Sequence, residues 1–173
     1  MPDISLCQGR FLELRDRDGW EYVHRVRGRT PVGIAAVTPE RKMVLISQFR
    51  VPLGQTIIEI PAGLVGDKPG EELEAWEVAA QRELLEETGW WAAKVEFLTE
   101  GPTSAGLTSE CIKLVRATGL EKRGEPTPDG DEQITVHEIP LKEVDAWLAK
   151  KVWAGEMVDP KVYAALYFLM RNA

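Results

Sequence analysis

The sequence is poor in the residues and segments that mark several large classes of protein. It contains only two cysteines among 173 residues, too few for a disulfide framework, so we expect Cys7 and Cys111 to be reduced thiols. No run approaches the roughly 20 apolar residues of a membrane-spanning helix, and residues 1–10 lack the basic and then apolar pattern of a signal peptide. We therefore expect a cytoplasmic protein with no membrane partner.

Positive charge is also scarce, because 21 Lys and Arg stand against 28 Asp and Glu and give a formal net charge of −7. Nonspecific binding to nucleic acid requires clustered cations that neutralise phosphates. We therefore expect no nucleic-acid partner, and a phosphate-handling site in so acidic a chain would need a metal cation as mediator. The length and the 44% of hydrophobic residues fit one compact domain over residues 1–173.

Turn signals divide the chain into short strand-like runs. Two runs within Phe11–Arg27 flank Arg17-Asp18-Gly19, and Asp-Gly is a strong hairpin signal, which predicts an N-terminal antiparallel β-ribbon over residues 1–30. Residues 31–173 would form the core. Six β-branched and aliphatic runs in it predict strands: Val32–Val37, Met43–Arg50, Ile57–Ile60, Lys94–Thr99, Glu110–Ala117 and Gln133–Ile139. The segment Glu121–Asp131, rich in Gly, Pro and charge, predicts an exposed loop.

Three segments have helical patterns. Glu71–Thr88 has no Gly or Pro and repeats large and small apolar residues every three or four positions, at Leu73, Trp76, Ala80 and Leu84, and Gly89 should end this helix at the C′ position. Two more helices are predicted over Leu141–Lys151 and Lys161–Arg171, the second begun by Asp159-Pro160 as N-cap and first helical residue. Mixed strands with helices on either side predict an α/β (α+β) fold.

Three carboxylates lie close together on the helix predicted for Glu71–Thr88. Glu83, Glu86 and Glu87 stand at i, i+3 and i+4 and so project from one face, where like charges destabilise a helix by roughly 0.2–0.5 kcal/mol per pair. A bound Mg²⁺ or Mn²⁺ would offset that repulsion, because hard divalent cations bind carboxylate oxygens and diphosphate oxygens. A solvated acidic face is the alternative interpretation.

The wider pattern resembles the Nudix box, in which a Glu is followed after seven residues by Arg-Glu-aliphatic-x-Glu-Glu-x-Gly and a hydrophobic residue. The matching positions are Glu74, Arg82, Glu83, Leu84, Glu86, Glu87, Gly89 and Trp90. Five residues normally separate the leading glycine of the box from the first Glu, whereas ten residues separate Gly63 from Glu74, which predicts an insertion around Gly66–Glu71. The resemblance implies a hydrolase with an α/β/α sandwich built on a mixed central sheet.

The resemblance also implies roles on the helix. Glu83 and Glu87 would be the principal ligands of Mg²⁺, or of Mn²⁺, with Glu86 beside them and the Ala62 carbonyl as a further ligand. Arg82 would pair with neighbouring acids and hold the helix, and we count Arg82 and Glu86 among the catalytic residues. The cations would lower the pKa of a bound water and stabilise charge on the phosphorus under attack.

The residue that positions or deprotonates the water should be an acidic residue before a late strand, according to the same resemblance. Asp131 and Glu132 precede the strand predicted for Gln133–Ile139, and Glu132 is the preferred candidate. The alternative is that Asp129, Asp131 and Glu132 only make an exposed turn soluble.

A second stretch indicates the branch of the family. Residues 58–64 (IEIPAGL), preceded by Gln48-Phe49-Arg50, resemble the stretch that ADP-ribose pyrophosphatases carry before the box, and GDP-mannose hydrolases share part of it. In that group the Arg contacts phosphate, the Glu helps hold the nucleotide, and an N-terminal ribbon exchanges between two subunits. The resemblance thus implies substrate-binding roles for Arg50 and Glu59 and a homodimer; a guanidinium suits diphosphate because it donates two parallel hydrogen bonds.

Two more substrate-binding candidates lie outside that stretch. Gly106 belongs to Ser104-Ala105-Gly106, where ADP-ribose pyrophosphatases usually carry Ser-Pro-Gly, and Trp20 could stack on adenine, although packing at a dimer interface is the commoner role. The sequence thus predicts metal-dependent hydrolysis of a small-molecule nucleotide substrate, ADP-ribose, to AMP and ribose 5-phosphate. A pyrophosphatase for GDP-sugars or other dinucleotides and a Nudix-fold protein that binds a nucleotide without cleaving it are the alternatives.

Overall fold

A computed structural model describes residues 3–26, 30–68, 70, 73–127 and 133–171. The strands within these ranges are β1 (Ile4–Gln8), β2 (Leu12–Arg17), β3 (Trp20–Arg25), β4 (Pro31–Ala36), β5 (Lys42–Arg50), β6 (Gln55–Glu59), β7 (Ala62–Leu64), β8 (Trp90–Pro102), β9 (Cys111–Lys122), β10 (Ile134–Pro140) and β11 (Met157–Val158). The α-helices are α1 (Trp76–Thr88), α2 (Val144–Trp153) and α3 (Pro160–Arg171).

The strands of the described part form three sheets. The N-terminal ribbon is antiparallel in the order β1-β2-β3, and the other strands form two four-stranded sheets, β10-β5-β6-β11 and β7-β4-β9-β8. Both larger sheets are mixed, because β11 runs parallel to β6 and β9 parallel to β4 while their other pairs are antiparallel. The predicted α/β (α+β) fold with an N-terminal ribbon is therefore confirmed, with the strands of the central layer divided between two sheets.

The antiparallel pairing of β2 and β3 in the ribbon follows from the turn that joins them. Asp18 and Gly19 both have positive φ angles, 56° and 80°, and they join Arg17 to the directly paired Trp20. A two-residue turn of this kind matches the twist of the strands that it joins, which is why Asp-Gly predicts a hairpin. The third strand, β1, whose five residues are all exposed, was not predicted from the sequence.

Each side of the sheet pair is covered by helices, and each side has its own core. Helix α1 buries Ala80 and Leu84 against residues such as Val32 and Val115. Helices α2 and α3 bury Leu148 and Val162, among others, on the other side. Because Leu84 is fully buried, its neighbours Glu83 and Glu87 are held at the edge of this core, beside β7.

The helix predicted over Glu71–Thr88 begins later than expected, at Trp76, and residues 71 and 72 lie outside the described residues. Leu73, predicted to belong to the apolar stripe, is 86% exposed. The reason is tertiary, because the carboxylate of Glu74 accepts hydrogen bonds from the Gly66 N–H and from Arg82. The C-terminal end is confirmed, since Gly89 has a φ of 72° and its N–H donates to the Leu85 carbonyl.

The remaining elements differ from the prediction mainly in their length. Strands β8 and β9 are longer than predicted and extend to Pro102 and Lys122, so the exposed segment after β9 begins at Arg123. The last helix is confirmed with its cap, because the Lys161 N–H donates to Asp159 Oδ1 at 2.7 Å. Over the ranges described above, no helix is both long and apolar enough to cross a membrane.

Candidate active site

A cleft of about 400 Å³ opens beside β7 and α1. Eight charged side chains line it: the cations Arg25, Arg50 and Lys161 and the carboxylates Glu59, Asp67, Glu83, Glu87 and Glu110. Three positive and five negative groups give the lining a net charge of −2 when all are ionised. A cleft of this sign repels a bare diphosphate, so an anionic ligand would enter it together with cations.

Glu83 enters the cleft through a gap left by Gly63. A Cβ atom at position 63 would lie 1.9 Å from Glu83 Cδ and 2.0 Å from Glu83 Oε1, so the carboxylate occupies space that only glycine leaves open. Burial raises the pKa of Glu83 to about 7, although the neighbouring Arg82 guanidinium favours the charged form. Burial therefore disfavours the charged form of Glu83 unless a cation lies beside it.

Glu87 is held from β7. Its Oε2 atom accepts a hydrogen bond from the Ala62 N–H at 3.0 Å, and the residue is 5% exposed. Glu83 and Glu87 stand one helical turn apart and both line the cleft next to Ala62 and Gly63. Helix α1 and strand β7 therefore fix the two carboxylates together.

Arg82 organises the acidic side of α1. Its guanidinium lies 3.1 Å from Glu74, 2.8 Å from Glu83 and 3.1 Å from Glu86. These partners outweigh burial, which disfavours its charge, so the pKa of Arg82 lies above its usual value. Burial opposes ionisation of Glu74, but the hydrogen bonds from Arg82 and the Gly66 N–H leave the pKa of Glu74 below its usual value.

Glu86 differs from the other two glutamates of the box. It pairs with Lys68 at 2.7 Å as well as with Arg82, and it is absent from the cleft lining. The Lys68 contact comes from the segment predicted as an insertion. Two cations therefore neutralise Glu86, whereas Glu83 and Glu87 are directed toward the cleft.

The donor set fits a hard divalent cation. Carboxylate oxygens of Glu83 and Glu87 and the backbone of Ala62 border one cleft, and oxygen ligands are those that Mg²⁺ and Mn²⁺ prefer. Within the described ranges, no three His, Cys, Asp or Glu side chains already surround a common ion position. The carboxylates would thus exchange part of their pairing with Arg82 and Ala62 for a metal.

Arg50 and Glu59 line the same cleft from β5 and β6. Arg50 Nε donates to Glu59 Oε2 at 2.7 Å, and Glu59 is 8% exposed. Glu59 thus has the partner that a carboxylate between Ile58 and Ile60 requires. Because the pair uses Nε, both terminal nitrogens of Arg50 remain able to donate to phosphate oxygens.

Two further ion pairs at the cleft were not predicted. Arg25, at the end of β3, donates to Glu110 Oε2 from Nε at 2.9 Å and from Nη2 at 2.6 Å. Lys161, in the first turn of α3, pairs with Asp159. Residues 25, 110 and 161 are far apart in the chain, and no local pattern distinguishes them from ordinary surface charges.

Trp20 and Gly106 do not line this cleft. Trp20 is 64% exposed and borders a separate pocket with Tyr22 and Ala105, and Gly106 lies in the turn between β8 and β9. The ribbon docks on this turn, since the Val23 N–H donates to the Leu107 carbonyl at 2.8 Å. Both residues thus lie where the ribbon meets the core.

The predicted base, Glu132, and its alternative, Asp131, lie outside the described residues, as does Asp129. The chain on either side is described. The Thr127 N–H donates to the Glu86 carbonyl at 2.7 Å, and Ile134 pairs with the cleft residue Gln48. The described chain thus reaches α1 at Thr127 and resumes beside the cleft residue Gln48 at Ile134.

Comparison with known proteins agrees with this geometry. Residues 28–162 match the family described as the NUDIX domain, and the chain therefore belongs to the Nudix family, which confirms the predicted Nudix hydrolase. Enzymes of this family generally use a divalent metal ion and act on small-molecule nucleotide substrates.

Three individual proteins show the degree of similarity in sequence and in fold. The chain is 38% identical over 144 residues to an ADP-ribose pyrophosphatase of Bacillus subtilis, covering 82% of this chain and 73% of that protein. It is 36% identical over 145 residues to a methanol dehydrogenase activator of Bacillus methanolicus, covering 83% and 74%. A crystal structure of an ADP compounds hydrolase has a TM-score of 0.73 at 21% identity and covers 99% of this chain and 91% of that chain, a likeness that concerns the fold alone.

Proposed function

We propose that this protein hydrolyses the diphosphate linkage of ADP-ribose to AMP and ribose 5-phosphate, with Mg²⁺ as cofactor and Mn²⁺ as a substitute. The observation that carries the proposal is the cleft in which Glu83 and Glu87 lie on one wall and the Arg50–Glu59 pair on another. The 38% identity to an ADP-ribose pyrophosphatase supports this choice of substrate.

Glu83 and Glu87 would hold the metal, with Ala62 supplying a backbone oxygen. A bound divalent cation lowers the pKa of a water ligand and stabilises negative charge on the phosphorus under attack. Glu86 would stay beside the ligands, and Arg82 would act as a positioning residue that keeps Glu74, Glu83 and Glu86 in place. The pairing of Glu86 with Lys68 and Arg82 supports a secondary role for Glu86.

Arg50 would bind the diphosphate through its terminal nitrogens while Glu59 holds the guanidinium in the cleft. Glu132 would position or deprotonate the attacking water. Support for Glu132 comes from its place in the chain, two residues before Ile134, which pairs with the cleft residue Gln48.

We further propose one cytoplasmic domain over residues 1–173 that acts as a homodimer through the ribbon of residues 1–30. Ile4, Leu6, Phe11 and Leu12 are large apolar residues of this N-terminal region and are about half exposed, which supports a partner surface there. Trp20 and Gly106 would then contribute to substrate binding in the dimer. Light scattering that finds only monomers at micromolar concentration would refute this assembly.

The function is tested by product analysis over a panel of ADP-ribose, GDP-mannose and a dinucleotide, with Mg²⁺, with Mn²⁺ and with chelator. We expect metal-dependent release of AMP and ribose 5-phosphate from ADP-ribose. Faster turnover of GDP-mannose would favour the GDP-sugar alternative. Tight nucleotide binding without turnover of any substrate would favour the non-catalytic alternative.

A matched pair of variants makes the assay specific to the cleft. Glu83→Gln should lower turnover by more than about 100-fold, because losing even an outer partner of a metal site often costs 10- to 100-fold. Glu77 lies on the same helix but outside the cleft lining, so Glu77→Gln should leave turnover unchanged. Equal effects of the two substitutions would contradict the assignment.

A further inference from the structure

Gln48 is an amide where the fold provides an apolar position. It lies on β5 on the same face as Val44 and Ile46, which are buried, and it is paired directly with Ile57 on one side and Ile134 on the other. The residue is only 6% exposed, and it also lines the cleft. A strand with this pattern would bury a leucine or methionine at the same place without loss.

The Oε1 atom of Gln48 is buried and accepts no hydrogen bond from the residues that the structure describes. A buried polar group left unpaired destabilises a protein by about 1–3 kcal/mol. The position therefore carries a cost that packing does not explain, and a ligand would remove that cost by drawing the amide toward the cleft that Gln48 lines.

We propose that Gln48 is a specificity-determining residue whose amide binds a ribose hydroxyl of the substrate next to the diphosphate. This inference rests on the proposed function and goes beyond the metal and phosphate sites described above. Gln48 stands two residues before Arg50 on the same strand and the same face, so a group bound by Gln48 lies beside the phosphate that Arg50 would hold.

A hydroxyl fits Gln48 better than a phosphate does. The unpartnered Oε1 atom requires a donor, and an ionised phosphate oxygen has no hydrogen to donate, whereas a hydroxyl donates and accepts. The charged residues Arg50 and Lys161 already supply cations to the cleft. A neutral amide beside them thus suits the neutral part of a nucleotide sugar, either the ribose of the AMP half or the terminal ribose.

The test compares Gln48→Met with Gln55→Met. Methionine keeps the length of the side chain and removes its hydrogen bonds, and Gln55 is a β6 glutamine outside the cleft lining. For Gln48→Met we expect a 3- to 10-fold rise in KM for ADP-ribose, the value of about one hydrogen bond, with kcat nearly unchanged. Urea unfolding should show equal or higher stability, which a merely structural glutamine would not give.

Calorimetric titration with AMP and with ribose 5-phosphate identifies the ribose and does not depend on turnover. Weaker binding of AMP to Gln48→Met assigns the nucleoside ribose, and weaker binding of ribose 5-phosphate assigns the terminal ribose. Unchanged binding of both, or no binding of either by the unmodified protein, would overturn the inference.

Two outcomes separate this inference from the proposed function. Absence of ADP-ribose turnover in the unmodified protein would refute the function, whereas normal turnover with an unchanged KM in Gln48→Met would refute only the role of Gln48. Should Gln48→Met fail to fold, Gln48→Leu repeats the test, and failure of both to fold would show that the amide is structural.

Discussion

Gly63 lies where the Glu83 carboxylate enters the cleft, so a side chain at position 63 would displace that carboxylate. Gly63→Ala would bring a methyl group to 1.9 Å from Glu83 Cδ, and the mobile end of the glutamate would move away. Overpacking costs about 1–3 kcal/mol, and we expect the low end of that range because the three nearest atoms belong to the Glu83 side chain and not to backbone.

Activity should respond far more than stability to Gly63→Ala. A displacement of about 1 Å in a catalytic group can cost on the order of 100-fold in rate, so we expect a loss of that size in kcat for ADP-ribose. Gly101→Ala is the control, because a Cβ atom at position 101 meets nothing within 4 Å. A fully active Gly63→Ala enzyme would mean that the observed position of Glu83 is not needed.

The burial of Glu83 leads to a second prediction, that replacing this residue stabilises the fold although it removes activity. Its pKa is raised to about 7 by burial, so the folded protein binds a proton that the unfolded chain releases near pH 4.5, and Glu83 lowers the free energy of unfolding as the pH rises through this window. At pH 8, Glu83→Gln should therefore raise the free energy of unfolding by about 1–2 kcal/mol in metal-free buffer. Denaturant titration measures this change, and a destabilised variant would contradict it.

At the scale of the element, α1 depends on the residue that follows its last turn, Gly89. Gly89 has a φ of 72°, and a Cβ atom there would lie 2.1 Å from the carbonyl oxygen of Gly124. A left-handed backbone alone costs an alanine about 1–2 kcal/mol. Gly89→Ala adds a clash with backbone that cannot move as a side chain does, so we expect a loss well above that range.

Gly54→Ala isolates the two contributions to that loss. Gly54 also has a positive φ of 65°, but a Cβ atom there meets nothing within 4 Å, so its alanine variant should lose only the conformational part. Thermal unfolding of the two variants measures the difference. Equal losses would indicate that the segment around Gly124 does not pack against the end of α1.

Local signals predicted the elements that local chemistry determines. The Asp18-Gly19 turn and the Gly89 helix end follow from backbone preferences at single residues, and the sequence predicted both. The predicted start of α1 was wrong because Glu74 is held by hydrogen bonds from Gly66 and Arg82. A helical pattern in the sequence does not reveal such contacts. The strands β7 and β11, of three and two residues, are too short to have a pattern, although β7 fixes Glu87.

The residues of the candidate site also fall into two groups, those that a sequence pattern reveals and those that only the fold brings together. Glu83, Glu86 and Glu87 could be proposed as a cluster because they share one helix, and Arg50 and Glu59 because they belong to a recognisable stretch. Arg25, Glu110 and Lys161 could not, since only the fold brings these distant segments to one cleft. Gln48 was visible as part of the stretch, but its burial without a partner depends on β6 and β10.

At the scale of the whole molecule, stability should depend on pH through His137 in the opposite sense to Glu83. His137 lies on β10, with Nε2 at 2.7 Å from Ser47 Oγ and its ring packed against Trp147. Burial and the nearby Lys151 lower the pKa of His137, although Glu156 opposes them. Below about pH 6.5 the unfolded chain therefore binds a proton that the folded protein does not, and stability falls as the pH falls.

The two groups titrate over overlapping ranges, so the prediction concerns a difference between variants. His137→Gln retains a polar partner for Ser47 and should lose less free energy of unfolding between pH 7 and pH 5.5 than the unmodified protein. Urea titrations at several pH values measure these slopes, and parallel curves for His137→Gln and the unmodified protein would exclude His137 as a source of acid sensitivity in the fold.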